Sequence, residues 1–291
     1  MAALSAVQSA NPKPDVRHQA VEAIVAEADL HCHILPAWDD GPRALDESLR
    51  MAARAAAAGL KKILVTPHVG RKFGSTPERA ACGISAATAE LEHEIKAQDI
   101  DIELVPGAEL TLGSRDLVER VAVEPWLTIG GQGLYVLIES PYRVWPEYAD
   151  QIVYQLALRG VTTIIVHPER YVNVQQKPTM LERSVERGAL LQVTARSLVG
   201  KEERAARQCS YRLMEAGLVS LIASDAHTSR GILPNDVVQE VKSAVGEAAA
   251  RTIMADIPRL VLAGEPAPPP PVPRPETSRM TRGRFWPFAN R

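Results

Sequence analysis

The chain has 291 residues, 46% hydrophobic and 23% charged, which is enough apolar side chain for a sizeable core and too much for a disordered chain. Its 33 Lys and Arg against 35 Asp and Glu leave a net charge of −2, so nothing draws it generally toward nucleic acid or an anionic membrane. No apolar run approaches ~20 residues, so no bilayer-spanning helix is expected.

Residues 1–25 read as an N-terminal extension without the basic-then-apolar order of a secretory signal. Asn11-Pro12-Lys13-Pro14 breaks structure, and 15–27 can hold a short helix. Ala28-Asp29-Leu30 leads into a first strand. Residues 43–58 read as a helix, because Leu45, Leu49, Ala52 and Ala56 recur at three or four and Gly59 stops them. A strand follows over 61–66. Thr76 as N-cap and Pro77 at the first helical position open a helix that runs to about residue 97. Strands are expected at 100–106, 134–138, 161–166, 189–193 and 218–223, with helices at 146–159, 179–187 and 202–216. These are seven βα-type units, which predict a parallel sheet closed as a TIM-like barrel, with an open doubly wound sheet as the alternative. The folded domain is placed at 26–264. Residues 265–291 hold eight of the 22 prolines and carry a local charge of +3, and read as a polyproline-rich, otherwise disordered tail. Within it, Arg284-Phe285-Trp286-Pro287-Phe288 is either solvated or a docking segment for a partner or an anionic surface.

The chemistry-bearing residues gather just past the strand ends. The first strand ends in His31-Cys32-His33, the second in Thr66-Pro67-His68, the third in Gly107-Ala108-Glu109 and the fourth in Glu139-Ser140. His167-Pro168-Glu169-Arg170 follows the fifth, and Ser224-Asp225-Ala226-His227 follows the seventh. In parallel α/β folds the C-terminal face of the strands collects ligands, so these distant residues are expected to converge. Imidazole and carboxylate are ligands of Zn²⁺, Mn²⁺ and Fe²⁺. Five histidines with Glu109, Glu139 and Asp225 exceed what one ion takes and suit about two or three ions. In an extended H-x-H, alternate side chains point the same way, so His31 and His33 can grip one ion, and Asp225-x-His227 is expected to repeat that geometry. Alternation turns Cys32 toward the core instead. Taken singly, each of these residues has an ordinary structural role open to it: Glu109 as a helix cap, Glu139 paired with Arg143, Asp40 as an N-terminal acid of the 43–58 helix, Arg170 paired with Glu169.

DLHCHILPAWDDGPR, TPH, PGAEL, IESPY, HPERY and ASDAH, in this order and spacing, resemble the polymerase-and-histidinol-phosphatase (PHP) superfamily and, within it, the bacterial manganese-dependent protein-tyrosine phosphatases of capsule and exopolysaccharide systems. The resemblance spans about residues 28–262. It implies a distorted TIM-like (β/α)7 barrel of the PHP type with a trinuclear centre, assigned Mn²⁺, with Fe, Zn, Mg or Co as alternatives. It implies as metal ligands His31, His33, His68, Glu109, Glu139, His167, Asp225 and His227, with Glu109 bridging. By the same match Arg170 is the phosphate-binding arginine and Asp40 the general acid at the site mouth. Where the family often has a further arginine close to the proline of the last loop this chain has Ile232, and Arg230 is the candidate substitute for that substrate contact. The implied substrate is phosphotyrosine on a bacterial polysaccharide-export tyrosine kinase or its Tyr-rich tail, and the chain itself is expected in the cytoplasm.

The mechanism that follows is attack by a metal-activated hydroxide, with Arg170 holding the phosphoryl group through two hydrogen bonds. A thiol route is excluded, because the position six after each of Cys32, Cys82 and Cys209 is Trp38, Thr88 and Glu215 rather than arginine. The scattered cysteines also make no disulfide framework and point to a reducing cytoplasm. No phosphate-cradling GxxxxGK[ST] loop is present. A small-molecule phosphoesterase such as a histidinol-phosphate phosphatase, and a non-catalytic scaffold, are the competing readings. The DDGP and HPERY stretches weigh against the former and the intact ligand set against the latter.

Overall fold

The computed structural model describes residues 24, 26–70, 77–113, 116–141, 143–233 and 236–273. Most of the expected 15–27 helix, the Thr76 cap, the Cys82 side chain and the 284–288 segment lie outside the described residues. Among the described residues the order is β1 (Ala28–Cys32), α1 (Leu45–Ala57), β2 (Lys62–Val65), β3 (His68–Val69), α2 (Pro77–Ala97), β4 (Glu103–Pro106), β5 (Glu109–Thr111) and α3 (Leu117–Val123). It continues through β6 (Tyr135–Glu139), α4 (Ala149–Leu158), β7 (Thr162–Val166), α5 (Val172–Gln176), α6 (Glu182–Glu186), β8 (Leu190–Thr194), α7 (Ala195–Leu198) and α8 (Arg204–Glu215). The last elements are β9 (Leu221–Ala223), α9 (Val237–Val245), α10 (Glu247–Arg251) and α11 (Ile257–Ala263).

Every strand pair is parallel. Two of the strands expected from sequence continue further than expected, each after a break. Pro67 cannot donate to a ladder, and past it the chain resumes as β3; past Gly107-Ala108 it resumes as β5. The N-terminal halves form one sheet, β1-β2-β4, and the C-terminal halves join the other, β3-β5-β6-β7-β8-β9. Around the ring this gives the seven strand positions expected. The ladders do not close the barrel. At the seam between β9 and β1 the join is made by single backbone bonds, Asp225 N to His31 O at 2.8 Å and His33 N to Ala226 O at 2.9 Å.

Strand periodicity sorts the core. Leu30, Leu64, Leu137, Ile164, Leu190 and Leu221 form an inner cluster, plugged by Ile257 and Val261 of α11. The alternate residues Ile63, Val65, Ile138, Ile165, Leu191 and Ile222 pack outward against the helices. Helix α1 buries Met51, Ala52 and Ala55 on one face and stops at Gly59, whose φ of 91° suits glycine. Beyond α11, Glu265 and Ala267 sit under the barrel. Tyr135 Oη donates to Glu265 O at 2.7 Å and accepts from Ala267 N at 2.8 Å. No described helix is long and apolar enough to cross a membrane.

Asp29, fully buried, ties the seam together. Its Oδ1 accepts from Ser224 N at 2.9 Å and from His31 N at 3.3 Å. Asp29→Ala leaves both buried donors unpaired and should lower unfolding stability by about 1–3 kcal/mol, with the denaturant midpoint falling at unchanged slope. An unchanged midpoint would remove Asp29 from the seam.

Candidate metal centre

The inner face of the barrel changes character along each strand. The positions that carry apolar side chains in the lower half carry ligand-type side chains two or four residues later: Leu64 then His68, Leu137 then Glu139, Ala223 then Asp225. Strand β1 reaches the same end through an irregularity. Its register shifts between Asp29 and Cys32, so Leu30 lies in the inner cluster and Cys32 in the outer one. His31 and His33 then point together, with their Nε2 atoms 3.2 Å apart. His167 and Asp225 have left-handed backbones, φ 39° and 52°, conformations that cost about 1–3 kcal/mol for such residues. His167 N donates to Gln192 O at 2.9 Å and Asp225 N to His31 O at 2.8 Å, and these bonds hold the two turns. The bend at Asp225 overturns one expectation. Asp225-x-His227 does not repeat the H-x-H geometry: Asp225 Oδ1 lies 3.4 Å from Nε2 of His31 and of His33, whereas His227 Nε2 faces Asp40 Oδ1 at 3.2 Å.

All eight residues singled out in the sequence meet at this rim. Glu109 is at its centre. Its Oε2 lies 3.3 Å from Nε2 of both His31 and His33 and 3.0 Å from His68 Nδ1, while its Oε1 lies 2.8 Å from His167 Nε2. His68 Nδ1 also approaches Glu139 Oε1 at 3.5 Å. The donor atoms fall into overlapping groups, His31–Glu109–His167, His31–His33–Asp225, His68–Glu109–Glu139 and His33–Asp40–His68–His227, each within 4.8 Å.

This donor set fits divalent cations. Nδ1 of His31 donates to Gln192 Oε1 at 2.9 Å, Nδ1 of His33 to Asp39 Oδ2 at 2.8 Å and Nδ1 of His227 to Asp225 O at 3.0 Å. Each bond commits Nδ1 and leaves Nε2 as the available ligand atom. Two such nitrogens 3.2 Å apart with no proton between them repel, and Glu109 Oε2 is buried beside them without a hydrogen bond of acceptable geometry. A cation among them resolves both conflicts. Protons on the imidazoles are the alternative. Burial alone would lower the His68 pKa, but Glu109, with Glu139 behind it, outweighs burial and pushes it up to about 10. His31 and His33 are raised the same way, against their burial, by Glu109 and Asp225. Glu109 and Asp225 in turn are held well below the carboxylate range, because the imidazoles beside them overcome desolvation.

Three orienting residues escaped the sequence reading. Asp39, beside Asp40, grips His33 and also accepts from His68 N at 3.0 Å and from Gly41 N at 3.0 Å. A Cβ at Gly41 would come within 2.5 Å of His33 O, so this turn admits only glycine. Gln192 fixes His31, and Thr111 Oγ1 donates to Glu139 Oε1 at 2.7 Å. Gln192 had a legible signal, a lone amide inside the apolar run LLQVT.

Above the cluster opens a cavity of about 670 Å³, lined among others by Asp40, Arg143, Arg170, Arg196 and Arg230. Arg170 Nη1 donates to Asp225 Oδ2 at 2.5 Å. It does not pair with Glu169, whose Oε1 instead accepts from Thr194 N at 3.1 Å and Ser197 Oγ at 2.8 Å. Nor does Glu139 pair with Arg143, which reaches Glu203. Asp40 lies five residues before α1 and faces His227 and His68 rather than the helix. Burial would raise its pKa, but the His227 and His68 imidazoles lower it.

Comparisons with known proteins give the chain a family. Residues 27–263 match the family described as capsular polysaccharide synthesis, CpsB/CapC. The chain is 36% identical over 199 residues to the tyrosine-protein phosphatase YwqE of Bacillus subtilis (strain 168), covering 68% of this chain and 76% of that one. It is 30% identical over 201 residues to the putative tyrosine-protein phosphatase CapC of Staphylococcus aureus, covering 69% and 76%. Among solved structures it resembles one from work on YwqE of Bacillus subtilis and CpsB of Streptococcus pneumoniae, described as unique metal-dependent tyrosine phosphatases. The TM-score is 0.76 at 30% identity, covering 86% of this chain and 99% of that one.

Elemental analysis of purified protein should find about two or three transition-metal ions per chain. Loading ion-free protein should release protons, because the carboxylates push the pKa of His68 up to about 10 and raise those of His31 and His33, and a protonated imidazole must lose its proton to coordinate. Apparent affinity should therefore climb as pH rises. Calorimetry in buffers of different ionisation enthalpy reads the release, and heats independent of buffer would contradict it.

Proposed function

The chain belongs to the CpsB/CapC family of capsular polysaccharide synthesis, and from that premise we propose that it is a metal-dependent protein-tyrosine phosphatase acting on phosphotyrosine of a polysaccharide-biosynthesis tyrosine kinase. The observation that carries this reading is the convergence of buried imidazoles and carboxylates under a cavity walled by arginines. His31, His33, His68, Glu109, Glu139, His167, Asp225 and His227 hold the ions, with Mn²⁺ the first candidate for a site without thiolate. When bound, such ions polarise phosphoryl oxygens and lower the pKa of water from 15.7 toward ~7. Glu109, with its two oxygens facing different imidazoles, is suited to bridge.

The remaining work falls to this chain's own residues. Arg170, anchored by one nitrogen to Asp225 at the edge of the cluster, turns its fork to the phosphoryl oxygens and holds the group in line. Arg230, exposed on the same cavity wall, supplies a second contact in the loop where Ile232 cannot. Asp40 stands at the mouth beside the leaving group. Its lowered pKa weighs against a proton donor and favours a carboxylate that orients His227 or joins the ligand set. Cys32 and Cys209 are buried, free thiols, which supports a reducing, cytoplasmic setting and a reaction that uses neither.

Two measurements test the reading. A panel of phosphotyrosine peptides, histidinol phosphate and sugar phosphates should show turnover of the peptides, lost on chelation and restored by Mn²⁺. Preference for the small phosphomonoesters would overturn it. Arg170→Ala should lower kcat/KM for a phosphotyrosine peptide by roughly 10²–10³, the loss expected for one preorganised donor, and Arg170→Lys should recover part of it. Rates are to be expressed per metal-loaded enzyme, because Arg170 also neutralises Asp225. A parent-like normalised rate would mean that Arg170 does not clamp phosphate.

A further inference from the structure

The cavity continues beyond the cluster, and its outer wall carries cations that hydrolysis of a single phosphoryl group does not use. Arg143 stands in the turn after β6 with φ 52°, a conformation uncommon for arginine. The turn is fixed from several directions. Val172 N donates to Arg143 O at 2.8 Å. Asn173 clamps Trp145 at both ends, accepting from its N at 3.0 Å and donating to its O at 2.7 Å. Ser140 N donates to Tyr171 Oη at 2.9 Å, and Ser140 Oγ donates to Val144 O. These bonds fix the turn from which the strained Arg143 sends out its side chain.

The guanidinium is aimed at the mouth. Its Nε lies 3.5 Å from Arg170 O, so it neighbours the proposed phosphate clamp. Its terminal nitrogens meet the Glu203 carboxylate at 3.2 and 3.3 Å. That pair lies in water: the Arg143 and Glu203 side chains are 57% and 61% exposed. An exposed pair contributes little, so another anion can replace Glu203 at small cost. Glu203 has no second task for its side chain, since it precedes α8 without a side-chain capping bond. On the same wall Arg196 donates to the adjacent Glu202 at 3.0 Å. Exposed Val144 and Val172 flank Arg143 and offer apolar contact to an extended peptide.

We propose that Arg143, with Glu203 as its displaceable counter-ion and Arg196 beside it, forms a specificity subsite for an anionic side chain that neighbours the phosphotyrosine in a peptide substrate. This rests on the phosphotyrosine reading and deepens it. A planar guanidinium accepts a carboxylate or a second phosphoryl group by the same two-pronged geometry, so both belong to the ligand class.

The test uses the metal-loaded full chain and three phosphotyrosine peptides that differ only beside the phosphotyrosine: glutamate, a second phosphotyrosine, or glutamine. The quantity read is the ratio of kcat/KM for an anionic peptide over the glutamine peptide on one enzyme preparation, in which any general loss cancels. The parent should prefer an anionic neighbour by about fivefold, expressed in KM, and the preference should shrink as ionic strength rises. Arg143→Gln should bring the ratio toward one, and Arg143→Lys should keep part of it. Glu203→Gln, which removes the competitor, should raise it, and this variant decides the matter where Arg143→Gln does not fold. A preference in one anionic arm alone supports the subsite and identifies its ligand. A parent ratio near one, or a ratio that Arg143→Gln leaves unchanged, overturns the subsite while the phosphatase reading stands. Absence of turnover on all three peptides by enzyme that hydrolyses a small phosphomonoester overturns that reading and the subsite with it.

Discussion

One buried carboxylate organises the upper barrel. Glu109 is fully buried, and nitrogens of His31, His33, His68 and His167 stand 2.8–3.3 Å from its two oxygens. A charge in that position is tolerable only with opposite charge close by. Protons on the imidazoles can supply it, and so can metal ions, but not both at once. The raised histidines and lowered carboxylates are two aspects of this one exchange. Several local features that look like irregularities serve it: the register shift in β1, the left-handed turns at His167 and Asp225, and the breaks after β2 and β4.

Those breaks are informative in themselves. Beyond Pro67 and Gly107-Ala108 the pairing resumes in the register it had before, Val65 opposite Pro106 and then His68 opposite Glu109 across β3 and β5. Gly107 permits it, because a Cβ there would lie 2.9 Å from Leu64 Cδ1. The inner face thus passes within a few residues from leucine to imidazole and carboxylate. The lower half, sealed by α11, is ordinary apolar packing, and the upper half trades that packing for a cluster of donors.

What could be read from the sequence follows from how local the physics is. Apolar runs such as VTTIIV and residues such as Gly59 act within a few positions, so strands and helix ends were legible. His31, His33, His68 and Glu109 were legible because the period of two and the strand-end location are sequence properties. Asp39 was not, since its bonds to His33 and to the His68 backbone cross 29 residues in the longer case and exist only once β1 and β3 are side by side. Arg143 was not, because its Glu203 pair depends on where the turn after β6 meets the loop before α8. Asp225 misled the reading for a local reason of another kind: a left-handed residue cancels alternation, and nothing in S-D-A-H announces it.

The seam explains why the cluster belongs to the fold as much as to the chemistry. Between β9 and β1 the described residues form no ladder beyond an isolated bridge, Cys32 with Ala226, and the seam is joined by single backbone bonds, the Asp29 carboxylate and the Ser224 hydroxyl. Yet the donors that face one another across this gap are His31 and His33 on one side and Asp225 on the other, with Oδ1 of Asp225 at 3.4 Å from both imidazoles. An ion held by these three joins the first strand to the last, where backbone pairing is sparse. The unfolded chain cannot assemble donors spread from residue 31 to residue 227, so such an ion favours the folded state by mass action. If His31, His33 and Asp225 hold an ion, its loss would loosen the barrel first at β1 and β9, the strands that also carry the orienting bonds from Gln192, by way of His31, and from Ser224. The mouth stands apart from this coupling. Its Arg143–Glu203 pair is largely exposed and contributes little to the fold, so that part of the cavity wall can exchange partners without disturbing the centre beneath.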